Sequence, residues 1–226
     1  MKTILQKYIA EAGLCSRRQA EELIRTKKVL VNNKTAELGM RVDGNDQVKV
    51  YDEVLQKKEK KIYIALNKPL DYTCTNREFK NEKNIFELID IKEKLFTVGR
   101  LDKNSHGLIL LTNDGDWAQK LSHPRYEHKK IYIVKIQKPE MSEKNILINF
   151  KRGVDIGEGD GVVKAKDIKV VADNEFEITL TQGKKRQLRR MFGALNCRVK
   201  DLKRTEFADF RLGDLKEGNW ENIKSI

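Results

Sequence analysis

Residues 99–116, GRLDKNSHGLILLTNDGD, constrain this chain more than any other stretch. An apolar, strand-like run, Leu108 to Leu111, is closed by the turn signal Asn113-Asp114-Gly115. Asp102 stands just ahead of that run, between Arg100 and Lys103. A carboxylate at the mouth of a buried strand has its position fixed by the strand, and flanking cations favour its ionised form. That combination suits a nucleophile. In isolation the motif leaves a second reading open, a solvated loop aspartate paired with Lys103. A paired-carboxylate hydrolase fits poorly. The next carboxylates, Asp114 and Asp116, lie beyond a strand that rises roughly 3.3 Å per residue, too far for an acid–base pair.

The 226 residues allow one large domain, or a small one followed by a medium one. Lys and Arg total 46 against 34 Asp and Glu, and the net charge of +12 favours a polyanion partner, nucleic acid or an acidic membrane surface. No apolar run approaches the length of a membrane span. The start, MKTILQKYIAEAG, is broken by Lys7 and Glu11 and does not read as a secretory signal, so a cytoplasmic protein is expected. Cys15, Cys74 and Cys197 are far apart, and His106, His123 and His128 lack ligand spacing, so neither a disulfide framework nor a metal site is expected. Residues 158–161, EGDG, read as a hairpin turn and not a phosphate loop, since neither a helix nor GK[ST] follows.

Near the start, Leu5, Tyr8, Ile9 and Ala12 share one helical face, with Gly13 as the stop. Ser16 to Gln19 reads as a capping box opening a second helix with Ala20, Leu23 and Ile24 inward. Arg17, Arg18, Arg25, Lys27 and Lys28 cluster about its ends. Strands at 29–31 and 47–51 complete a small unit. LQKYIAEAGLCSRRQAEELI, VLVNN and VDGNDQVKV together resemble an S4 RNA-binding domain. QKKEKK, residues 56–61, has no apolar anchor and reads as a charged linker. The expected domains are therefore 1–55 and 62–226. In the second, strand-like runs at 62–66, 95–98, 107–112, 130–136 and 176–180 intersperse with helical patterns at 84–89, 116–122 and 187–195. The absence of a strict βαβ period argues for an α+β domain on a mixed, largely antiparallel sheet.

Three more stretches bear on chemistry. In HKKIYIVKI, residues 128–136, Tyr132 points away from Ile131 and Ile133. It is either an ordinary half-buried strand tyrosine, or a ring for stacking on a base with a hydroxyl for proton transfer. In QGKKRQLRRMFGAL, Leu188, Met191, Phe192 and Leu195 form one helical stripe, with Arg186, Arg189 and Arg190 on the other face. That face reads as a phosphate-contacting surface, from which one arginine could turn inward to a pocket aspartate. IALNKPLDYTCT, residues 64–75, reads locally as a strand ended by Pro69.

These stretches, with Leu202-Lys203-Arg204-Thr205 and the closing LGDLKEGNWENI, follow in the order of the motifs of the pseudouridine synthases. They resemble the branch that acts on ribosomal RNA and carries an N-terminal S4 domain, the RsuA and RluB/E/F type. The resemblance implies a ribosomal RNA partner, most often large-subunit RNA with small-subunit RNA as the alternative, a cofactor-free isomerisation and a monomer. It implies catalytic roles for Asp102 as nucleophile, Tyr132 as base-stacking ring and Arg189 as ion-pair partner of Asp102. RNA contacts are expected from Arg17, Arg18, Arg25, Lys27, Lys28, Arg100, Lys130, Arg186 and Arg190. Arg100 and His106 are expected to hold the strand or fill the space left by a flipped nucleotide, and Asn67 and Lys68 to be structural or RNA-facing. Two other classes compete. A non-catalytic RNA-binding assembly factor would have lost Asp102, Tyr132 or Arg189, and all three are present. An anionic-membrane binder would need a longer basic amphipathic helix than 187–195.

Overall fold

Ser16 opens the helix Arg17–Arg25 with the expected reciprocal cap. Its hydroxyl accepts the Gln19 backbone N–H at 3.3 Å, and the Gln19 side chain takes the Ser16 N–H at 2.9 Å. The preceding helix, Leu5–Glu11, is followed by Gly13 at φ +81°, a left-handed turn that suits glycine. A four-stranded antiparallel sheet runs in the order Lys34–Thr35, Val29–Val31, Val48–Val50, Glu53–Val54. Period-two alternation turns Val29, Val31, Val48 and Val50 onto Leu5, Ile9, Ala20 and Ile24, which forms the core of this unit.

This computed structural model describes residues 2–56, 60–75, 80–137 and 139–225. It comprises two compact units. One is Met1–Ile62 with Ile91–Leu95 and Asn113–Gly115; the other is Tyr63–Asp90, Phe96–Thr112 and Asp116–Ile226. Of the expected linker, residues 57–59 lie outside the described residues.

The second unit is built on one mixed sheet. Its strand order is Asp167–Ala172, Glu175–Leu180, Lys130–Ile136, Val199–Phe207, His106–Thr112, Tyr63–Lys68, Trp220–Asn222. The pair 199–207 with 106–112 is parallel, and the other pairs along this path are antiparallel. The strand 106–112 is buried from Gly107 onward, as its unbroken apolar run requires. One face is closed by Trp117, Ala118 and Leu121 of the helix Gly115–Ser122. Among the other buried rings, Phe192 lies 4.7 Å from Phe150 and 5.8 Å from Phe176 between centroids.

The five strands read from sequence all form, with ends displaced by at most two residues. The helix expected at 84–89 is a 3-10 turn, Ile85–Leu88, because Asn84 and Glu87 cap so short a segment from both sides. The longest elements that escaped the sequence reading are the helix Glu143–Arg152 and the strands Asp167–Ala172 and Val199–Phe207; the short strand Trp220–Asn222 and several two-residue strands escaped it too.

Gly107 allows the one parallel crossing. At φ +98°, a Cβ there would lie 2.3 Å from the Arg204 carbonyl oxygen and 2.8 Å from its nitrogen. Gly159, at φ +78° in the 154–163 hairpin, has open space around it. Gly107→Ala therefore combines backbone strain with overpacking and is expected to destabilise the protein by more than ~3 kcal/mol. Gly159→Ala carries only the left-handed penalty of ~1–2 kcal/mol. Chemical denaturation of both variants checks the contrast.

Candidate active site

The turn that carries Asp102 is held at each of its carbonyls. The Asp102 oxygen accepts the Ser105 N–H at 3.0 Å, and the Lys103 oxygen accepts the Asp71 N–H at 2.8 Å. The Asn104 oxygen accepts Arg189 Nη2 at 2.6 Å, and the Ser105 oxygen accepts Lys68 Nζ at 2.7 Å. Lys68 also donates to the Pro69 oxygen at 2.8 Å and the Lys103 oxygen at 3.4 Å. Its side chain is fully buried, and that burial pushes its ammonium below the usual lysine range; Cys74, Asp71 and Asp102 oppose the shift. Among the described residues, the half-buried Asp102 carboxylate itself makes neither a hydrogen bond nor an ion pair.

Asp102 faces a cavity of about 860 Å³ in the second unit. Among the described residues it is the sole carboxylate of the lining, against eight Lys and Arg side chains. Tyr132 and Arg189 line the same cavity, so three residues from separate stretches of sequence meet there. Tyr132 is only 9% exposed and shares a buried face with Val134 and Ile136, opposite the half-buried Ile131 and Ile133. The register of the ladder to 199–207 shifts between Ile131 and Tyr132, where Thr205 is left without a ladder partner on this strand. Lys130, half-buried, donates to the His128 oxygen at 3.2 Å and lies 5.3 Å from the Phe207 ring. Burial and then Arg204 hold its ammonium below the ordinary lysine range.

Arg189 does not form the ion pair expected with Asp102. Its guanidinium is committed to Asn104 and, at 3.4 Å, to the Ser105 hydroxyl. It therefore acts on the aspartate through the backbone that carries it and through charge. Burial, followed by Arg186, pushes Arg189 below its usual range, while Asp102 and Asp201 oppose that. Arg204 carries no role from sequence, yet it is 2% exposed at the cavity wall. Its Nε donates to the Leu108 oxygen at 2.7 Å, and its guanidinium lies 5.0 Å from the Phe207 ring. The available signal is its parity with Leu202 along one strand face.

One further expectation is corrected, for Arg190, and that for His106 is narrowed to holding its strand. Arg190 is not a free phosphate contact. Its donors reach the Ile156 oxygen at 2.9 Å, the Gly157 oxygen at 2.6 Å and Asp160 at 2.7 Å, so it staples the hairpin 154–163 to its helix. His106 does not line the cavity: its Nε2 lies 3.1 Å from both Asp201 oxygens. Arg100 and Arg186 are exposed and line the cavity. Arg17, Arg18, Arg25, Lys27 and Lys28 belong to the first unit, and all five are exposed.

A lone carboxylate on a clamped turn, set in a cationic cavity, defines a site for chemistry on a polyanion. The chain belongs to the RNA pseudouridylate synthase family, whose model matches residues 62–194, and an S4 domain matches residues 5–48. It is 38% identical, over 95% of its length and 89% of the relative's, to the ribosomal large subunit pseudouridine synthase B of Bacillus subtilis (strain 168). It is 37% identical to the dual-specificity RNA pseudouridine synthase RluF of Escherichia coli (strain K12), over 97% of this chain and 74% of that one. A crystal structure of a pseudouridylate synthase superposes with a TM-score of 0.72 at 30% identity, covering 98% of this chain and 96% of the other. The chain is thus an enzyme that isomerises uridine in RNA to pseudouridine. Among the described residues no helix is long and apolar enough to cross a membrane.

The corrected placement of Arg190 reverses its expected behaviour. Arg190→Ala should lower the melting temperature, because it removes the bonds to the Ile156 and Gly157 oxygens that hold the hairpin and leaves Asp160, among the described residues, with Lys184 alone, 3.2 Å away. Arg186→Ala, on an exposed side chain, should leave the melting temperature nearly unchanged. Thermal melts of the two variants check this.

Proposed function

We propose that this chain converts a uridine of large-subunit ribosomal RNA to pseudouridine in the cytoplasm, acting as a monomer with Asp102 as the catalytic carboxylate. The observation that carries this reading is the unengaged Asp102 carboxylate, among the described residues the sole acid of a cationic cavity, on a turn whose carbonyls are all bonded. The names of the relatives supply the substrate: one is a large-subunit enzyme, and the other is named dual-specificity.

In this reading the target nucleotide leaves its stack and enters the cavity, where the cations hold its phosphates. Asp102 acts at the sugar or base while the C1′–N1 bond breaks. The base turns, a C1′–C5 bond forms, the C5 proton leaves, and N1 gains one, so atoms and charge balance. The Tyr132 ring stacks on the detached base, and its hydroxyl serves the proton transfer. Arg189 and Lys68 keep the turn in place. Arg100, Lys130 and Arg186 contact the RNA at the cavity. Residues 1–55 form the separate RNA-binding domain, using Arg17, Arg18, Arg25, Lys27 and Lys28, with 56–61 as linker to the catalytic residues 62–226.

Mapping of pseudouridines in ribosomal RNA from a strain lacking this chain tests the reading. Loss of modification at a large-subunit position, restored by the wild-type gene, is the expected result. An unchanged pattern, or a loss confined to small-subunit RNA, contradicts it.

A further inference from the structure

The cavity extends beyond the residues that the isomerisation uses. Its volume of about 860 Å³ lies toward the upper end of the roughly 300–1,000 Å³ typical of small-molecule sites. Part of its wall is His123, Pro124 and His128, which flank or belong to a short 3-10 turn, Pro124–Tyr126.

That turn presents a basic and aromatic surface. The Arg125 guanidinium lies 4.5 Å from the Tyr126 ring centroid and donates to its hydroxyl. The Tyr126 ring is 6.3 Å from that of His123 and 6.0 Å from that of His128, tilted 35° to the latter. Tyr126 nevertheless remains 42% exposed. From Trp117 to Gln137 the sequence holds one acid, Glu127, against Lys120, Arg125, Lys129, Lys130 and Lys135. An exposed tyrosine carrying a guanidinium is a poor core element and a good stacking plane, because nucleobases stack on both aromatic and guanidinium faces.

The turn is also held in advance. Pro124 occupies its first position, His123 Nδ1 accepts the Arg125 N–H at 3.2 Å, and Glu127 closes it in the left-handed region at φ +48°. The Glu127 N–H reaches the Pro124 oxygen at 3.0 Å, and His128 Nε2 lies 3.1 Å from the Lys120 oxygen. A preordered surface loses little entropy when a base settles on it.

We propose that the 123–128 turn is a second nucleotide subsite, where the base of a nucleotide flanking the target uridine stacks on the Tyr126–Arg125 pair. The proposal rests on the reading that the cavity receives a flipped uridine, and it assigns the surface of Arg125 and Tyr126, which lies outside the cavity lining beyond His123, Pro124 and His128, to the neighbouring residue of the same RNA. Stacking tolerates any base, so this subsite adds affinity and register more than sequence choice.

The test uses the full chain and a ribosomal RNA stem-loop that carries the modified uridine. KM, dissociation constant and saturating single-turnover rate are measured for wild type, Tyr126→Ala and Tyr126→Phe. Tyr126→Ala should raise KM and the dissociation constant about tenfold with an unchanged saturating rate, and Tyr126→Phe should behave as wild type. Abasic substitution is then walked along the flanking nucleotides. At one position it should weaken wild-type binding by the same factor and add nothing in Tyr126→Ala. Unchanged binding in Tyr126→Ala, or abasic losses that add to it at every position, overturns the subsite. A lower melting temperature with a lower saturating rate also overturns it, since that marks a structural turn. A wild-type protein that forms no pseudouridine in any fragment refutes the functional reading instead, while the binding arm still decides the subsite.

Discussion

Two buried or half-buried cations, Lys68 and Arg189, grip the carbonyls of residues 103–105, directly behind Asp102, and the site depends on that grip. Taking an ammonium out of water costs several kcal/mol. At Lys68 three carbonyl oxygens replace the lost water, each such charged hydrogen bond contributing ~1.5–3 kcal/mol. The same contacts tie the turn to the end of the strand 63–68, which pairs with 106–112 through Lys68 and Gly107. The aspartate is thus fixed from behind by backbone, and its carboxylate is left uncommitted for substrate.

Charge is distributed to the same end. Among the described residues eight cations and one acid line the cavity, a balance that suits RNA phosphates. Such a wall repels itself, and the neighbours answer in different ways. Arg204 donates to Leu108 and lies over Phe207, Arg190 is neutralised by Asp160, and Lys130 is held in part by burial beside Phe207. The central strand 199–207 carries several of these burdens. It supplies Arg204 to the wall and Asp201 to His106, and its backbone at Arg204 passes so close to Gly107 that a side chain there is excluded.

Much of the architecture was legible because hydrophobic periodicity was strong. The unbroken run 107–112, the alternating valines of the first unit and the Ser16 box each had one physical solution. The strand 199–207 hid because Lys200, Asp201, Lys203, Arg204 and Glu206 look like a solvated loop. The helix 143–152 hid because only Ile146 and Phe150 turn inward, and Ile148 is half exposed. At the site, Asp102, Tyr132 and Arg189 were visible as residue types in context. The grip of Lys68 and the burial of Arg204 were not, since they arise from carbonyls and rings distant in sequence. Arg190 was misread because a helical projection cannot see the hairpin that packs across it.

The central claim is that Asp102 performs the chemistry while its surroundings bind and hold. The direct measurement is pseudouridine yield in a single turnover, at saturating enzyme, for Asp102→Asn on a ribosomal RNA fragment that wild type modifies. Asparagine keeps the size and removes the charge and the nucleophile. The account predicts no detectable product with RNA affinity and melting temperature close to wild type. Substantial product from the pure variant contradicts it.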